Sequence, residues 1–66
     1  MKLLRAASVA EKLDMHKVSV FRLAKNDKTF PKPLKLSSRY TAWLEEEIDK
    51  WLFTHLQQRS ETHDET

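Results

Sequence analysis

The stretch Lys17-Val18-Ser19-Val20-Phe21-Arg22-Leu23-Ala24-Lys25 decides the fold. Val20, Phe21 and Ala24 fall at i, i+1 and i+4 on one side of an α-helix, while Val18, Ser19, Arg22 and Lys25 fall on the other. One face packs and the other carries charge into solvent. Just upstream, Asp14-Met15-His16 has room only for a turn, and Asp14 stands where a helix end often has glycine, because aspartate tolerates the left-handed region better than most residues. Before that, Ser8-Val9-Ala10-Glu11 has the spacing of a capping box, so a first helix is expected from Ser8 to about Asp14, with Val9, Ala10 and Leu13 as its apolar stripe. Two short helices joined by a three-residue turn, the second with a basic outer face, form a helix-turn-helix pattern.

Downstream, Asn26-Asp27-Lys28 reads as a turn, and the two prolines of Phe30-Pro31-Lys32-Pro33 fix an extended segment. Leu34-Lys35-Leu36 alternates like a strand, Ser37-Ser38-Arg39 reads as a turn, and Tyr40-Thr41-Ala42-Trp43 completes a hairpin. A third helix is expected from Glu45 to Gln58, with Ile48, Trp51, Leu52, His55 and Leu56 on one stripe and His55 at the core edge. Glu45, Glu46 and Glu47 complement its positive dipole end. The resulting fold class is α+β, a small winged helix-turn-helix in the order helix, turn, helix, two-stranded wing hairpin, C-terminal helix. Residues 1–58 form that domain, and residues 59–66, with no apolar side chain, read as a disordered acidic tail.

The chain has 66 residues, no cysteine and no glycine. A domain of this size buries only about 60% of its unfolded surface, which leaves no room for most enzyme architectures. Without cysteine there are no disulfides, thiolate zinc sites or thiol nucleophiles. No apolar run exceeds three residues, as in Trp51-Leu52-Phe53, so neither a membrane span nor a signal peptide is read, and a cytoplasmic location is expected. His16, His55 and His63 lack metal-ligand spacing, and no grouping of serine, histidine and aspartate suggests nucleophilic catalysis. No catalytic site, metal or cofactor is expected.

Charge is segregated. Residues 1–44 hold ten Lys/Arg against three Asp/Glu, a net of +7, and residues 45–66 hold two against seven, a net of −5. A basic segment that coincides with a helix-turn-helix points to a polyanion. The contacts expected on the recognition helix are Val18, Ser19, Arg22 and Lys25, and on the wing Lys32, Lys35 and Arg39. Arg22 is suited to bidentate reading of guanine and Lys25 to phosphate. Val18 is placed either to touch a thymine methyl or to pack at the core edge. Trp43, Trp51, Ile48 and Phe21 are assigned to packing, and Phe53 lies off the apolar stripe of the third helix.

Taken together, Val9-Ala10-Glu11-Lys12-Leu13, Val20-Phe21-Arg22-Leu23, Phe30-Pro31-Lys32-Pro33-Leu34-Lys35-Leu36, Arg39, Trp43 and Glu47-Ile48-Asp49-Lys50-Trp51-Leu52 resemble the AlpA family of prophage regulators. That family groups with excisionase-like proteins in the MerR-like winged helix-turn-helix class. The resemblance spans Leu3 to Leu52 and implies a double-stranded DNA-binding protein of a prophage or integrative element, a transcriptional regulator, an excisionase, or both. Carried over onto matching positions, it implies DNA contacts from Lys17, Ser19, Arg22 and Lys25 on the second helix and from Lys35, Ser37, Ser38, Arg39 and Tyr40 on the wing. It implies a phage-type integrase as a partner. A single domain with few apolar residues to spare for a dimer face is expected to be a monomer in solution that assembles on repeated sites. Three positions depart from the family: Asp14 replaces a small residue or glycine, His16 a serine or threonine, and Ser37 a wing glycine. The alternative reading is a protein-interaction module that engages an integrase, polymerase or response regulator through the third helix and the acidic tail. The winged domain of a small terminase subunit has a related shape but normally sits in a longer, oligomeric chain.

Overall fold

The computed structural model describes the backbone of residues 1–62 and the side chains of residues 1–59. In chain order it comprises β1 (Leu3–Arg5), α1 (Ala6–Leu13), α2 (Lys17–Asn26), β2 (Leu34–Ser37), β3 (Tyr40–Leu44) and α3 (Glu45–Thr62). The helix-turn-helix, wing and final helix appear in the expected order. The sheet, however, has three strands rather than two, in the order β1-β3-β2 and antiparallel throughout. β1 pairs Leu3, Leu4 and Arg5 with Leu44, Trp43 and Ala42. The Glu45 N–H donates to the Lys2 carbonyl at 2.9 Å and carries this pairing into the first residue of α3. Burial of Leu4 on the core supplies the drive that a three-residue strand lacks alone.

β1 also moves the start of α1. The helix begins at Ala6, with Arg5 as an extended N-cap that makes no side-chain capping bond. Ser8 and Glu11 therefore lie inside the helix and form no capping box, because burying Ala6 extends the helix toward the strand. At the other end Asp14 is left-handed, with φ 57° and ψ 53°. The Met15 N–H donates to the Ala10 carbonyl at 2.9 Å and the Asp14 N–H to the Glu11 carbonyl at 3.2 Å. This is the Schellman arrangement, here made without glycine.

Val20 is fully buried on α2, and Leu23 and Ala24 pack beside it at i+3 and i+4. Phe21, expected in the core, is 48% exposed and borders it, its ring centroid 5.9 Å from that of Trp43 and tilted by 59°. After α2, Asp27 Oδ1 accepts from the Thr29 N–H at 2.8 Å and from the Thr29 hydroxyl at 2.6 Å. The turn delivers Phe30 into the core, edge-on to Trp43 and Trp51 at 6.5 and 4.9 Å. Both indoles donate hydrogen bonds at 3.1 Å, Trp43 to the Pro31 carbonyl and Trp51 to the Thr29 hydroxyl.

In the wing, Ser37 belongs to β2 and pairs with Tyr40, so the turn is Ser38-Arg39 alone, one residue shorter than expected. Two-residue hairpin turns that match strand twist need positive φ, yet among the described residues only Asp14 has it. A bulge between Lys35 and Ser37 accommodates the difference and leaves Leu36 unpaired and 54% exposed. α3 buries Ile48 and half-buries Trp51 and Leu52, and further along Thr54, His55 and Gln58 line a depression with Asp27, Thr29 and Pro31. Leu56 and His55 are exposed rather than at the core edge, although the His55 ring lies 4.2 Å from that of Trp51. The helix also continues past Gln58 to Thr62, into the segment read as a tail, while residues 63–66 lie outside the described residues. Lys12 ties α1 to α3 through Asp49 at 2.9 Å and Glu45 at 3.3 Å. These contacts raise its pKa above the usual 10.5, the Asp49 hydrogen bond contributing most and the Glu45 bond next. No helix among the described residues is long and apolar enough to cross a membrane.

Two outcomes follow for stability. Asp14→Val forces a β-branched residue into the left-handed region, which costs about 1–2 kcal/mol and lowers the melting temperature by roughly 4–8 °C per kcal/mol. The Thr29 hydroxyl, and next the Thr29 N–H, hold the Asp27 carboxyl below its usual 3.8. A depressed carboxyl stabilises the fold above its unfolded pKa, and that contribution is lost as pH falls through the folded value. Thermal melts from about pH 2 to 7 will show a shallower acid-side loss for Asp27→Asn, which keeps the acceptor and removes the charge.

Candidate nucleic-acid interface

The geometry of α2 sorts its side chains into two sets. Lys17, Val18, Arg22 and Lys25 are exposed, Val18 at 60%, whereas Ser19 is half-buried at the margin of the helix. The exposed Phe21 flank lies beside Val18 and Lys25 on the helical wheel, so the solvent face is a basic surface with two apolar residues in it. The longer α2 also adds Asn26, one turn beyond Arg22. Arg22, Asn26 and Lys28 line a shallow depression with Ser19, Leu23, Asp27 and Thr29. Asn26 and Lys28 were not among the expected contacts. Ending the helix at Lys25 hides the i, i+4 relation of Arg22 and Asn26.

On the wing, Lys35, Ser37, Ser38 and Arg39 are exposed, as is Lys32 between the half-buried Pro31 and Pro33. The bulge and the two-residue turn set the tip, where the Arg39 N–H donates to Ser37 Oγ at 3.4 Å. Tyr40 is half-buried, and the guanidinium of Arg5 lies over its ring at 4.3 Å from the centroid. Arg5 is therefore a further cation at the base of the wing, brought there by the pairing of β1 with β3. Sequence reading gave no signal for this placement, since it depends on the unforeseen strand.

The electrostatics separate the two ends of the chain. Among the described residues, Lys12 is the only Lys or Arg in an ion pair. Lys17, Arg22, Lys25, Lys32, Lys35 and Arg39 thus present charge with no acidic partner to neutralise it. No group of three or more His, Cys, Asp or Glu side chains among the described residues is arranged to hold a metal ion. The arrangement offers cations, a guanidinium and an amide on one helix, together with a basic hairpin. These suit a polyanion with readable polar edges.

Comparison with known proteins found one family, described as Prophage CP4-57 regulatory protein (AlpA), matching residues 2–56. No curated protein and no solved structure matched. The matched span runs from β1 through the whole wing and into the exposed part of α3. The family is one of regulators rather than enzymes. With most of its length matched, the chain belongs to the AlpA family of prophage regulatory proteins.

Proposed function

We propose that this protein binds double-stranded DNA sequence-specifically, with α2 in the major groove and the β2–β3 wing on the adjacent groove or backbone. It would serve a prophage or integrative element as a transcriptional regulator, as an excisionase that directs a phage-type integrase, or as both. The observation that carries this reading is the set of unpaired cations on α2 and the wing, in a chain whose acidic residues are concentrated in α3 and beyond. Family membership supports a regulatory role for a prophage. In this reading Arg22 reads a guanine edge and Asn26 an adenine, as their donor and acceptor patterns allow. Lys17, Lys25, Lys35, Arg39 and Arg5 meet phosphate and fix register. Val18 and Phe21 supply apolar contact to base edges such as the thymine methyl.

If about five phosphates are neutralised, log K falls against log salt with a slope of roughly −4 to −5. Binding that ignores salt, or that treats random and cognate DNA alike, would remove the reading. Arg22→Ala relaxes base preference at one position by about 1–3 kcal/mol. Lys35→Ala instead weakens all sequences alike and reduces the salt slope by about one. Parallel titrations of cognate and single-substitution duplexes distinguish the two roles, and an exchange of these behaviours would refute the assignment.

A further inference from the structure

We propose that the distal half of α3 is a self-association surface, pairing antiparallel with the same helix of a second copy of this chain. Past Trp51 the helix leaves the core. It carries Leu52, Phe53 and Leu56 on one face, with Phe53 59% and Leu56 45% exposed. Leu56 and Phe53 lie about 80° and 140° round the helix from Ile48, and half-buried Leu52, one turn after Ile48, joins this exposed face to the packed one. The protein is 44 Å along its longest axis and 24 and 21 Å along the others. The segment from Asp27 to Pro31 packs on the opposite side of α3, at Trp51 and His55, and leaves Phe53 and Leu56 exposed among the described residues.

Charge selects the occupant and its direction. Asp49 lies one turn before Phe53 on this face, and Arg59 lies near its far end. In an antiparallel pair centred on residue 54, Leu52 meets Leu56 of the other copy, and Asp49 lies opposite the other copy's Arg59. Two-fold symmetry makes each of these contacts twice. A parallel pair would place Asp49 against Asp49 and Arg59 against Arg59, which is repulsive at both ends. Asp49 remains 55% exposed while bonded to Lys12, so it has a face free for a second cation.

The size of the surface sets how it acts. Three apolar side chains per copy fall well short of the ~1,200–2,000 Å² of a stable interface. Free copies therefore pair weakly, at around millimolar concentration, and pairing becomes substantial when something holds two copies side by side. Only that second part rests on the DNA-binding reading. Adjacent sites on one duplex would supply the required local concentration.

The first test contains no DNA. Amide and methyl NMR spectra of the whole chain, taken from about 0.05 to 2 mM at low salt, will shift with concentration at Leu52, Phe53 and Leu56, and Phe53→Ser will abolish the shifts at an unchanged melting temperature. Arg59→Glu, far from the core, weakens pairing roughly 3- to 10-fold, as does Asp49→Lys. An equimolar mixture of the two variants restores it. In the mixed pair the introduced lysine faces the introduced glutamate, and the retained Arg59 of one copy faces the retained Asp49 of the other, so both contacts are attractive. The second test uses duplexes with one or two sites: Phe53→Ser leaves single-site affinity unchanged and removes cooperativity between two. Spectra independent of concentration would overturn the proposal, as would a mixture no better than its components. So would perturbation of these three residues by another protein but never by a second copy. Failure of DNA binding alone would leave the first test standing and remove only the proposed role on DNA.

Discussion

Trp43 is the residue on which the rest of the structure converges. It sits on the central strand, fully buried, and its backbone partner across the sheet is Leu4 of β1. Its ring meets Phe21 from α2 and Phe30 from the extended segment, and its Nε1–H is bonded to the Pro31 carbonyl. Through its backbone and its indole, one residue thus fixes the N-terminal strand, the second helix and the path into the wing relative to one another. Aromatic pairs of this kind contribute about 0.5–1.5 kcal/mol beyond the area they bury. In a chain that can bury only about 60% of its surface, that concentration on one side chain leaves few alternative ways to pack.

Elements whose logic is local were legible in the sequence. The α2 stripe, the left-handed turn at Asp14, the proline-fixed segment and the start of α3 after Leu44 all follow from periodicity, backbone chemistry or helix-end charge. What escaped reading depends on distant partners. Leu3-Leu4-Arg5 has no alternation to announce a strand and becomes one only because β3 offers an open edge. Once that strand forms, Ala6 is buried and the helix begins there, so the Ser8/Glu11 pattern has no free helix end to cap. The candidate interface divides in the same way. Its exposed cations could be read from the helical and strand periods, whereas Arg5 could not, since its position over Tyr40 needs β1. Asn26 was lost to a boundary error of a single residue.

The uneven distribution of charge has a structural counterpart. Lys12 belongs to the basic portion of the sequence but is bound to Asp49 and Glu45, which removes it from the cations available to a ligand. This one link joins α1 to α3. It leaves the basic side chains of α2 and the wing free, and it engages two acidic residues of α3. Among the described residues, complementary charges hold the domain together at this point only. The other described cations make no ion pair, so the charge of α2 and the wing stays available to an approaching polyanion.

The junction between wing and last helix has a mechanical meaning. β3 ends at Leu44 and α3 begins at Glu45 with no residue between them, and the Glu45 N–H is anchored to the Lys2 carbonyl. A hinge needs a few loop residues to absorb a change in backbone angles, and none is provided here. Wing and helix therefore turn as one lever. With the wing seated on a duplex, the heading of α3 would be locked to the rotational phase of the double helix. Shifting a neighbouring site by one base pair would swing a second copy by on the order of 35°, so the distance between sites would be read as an angle.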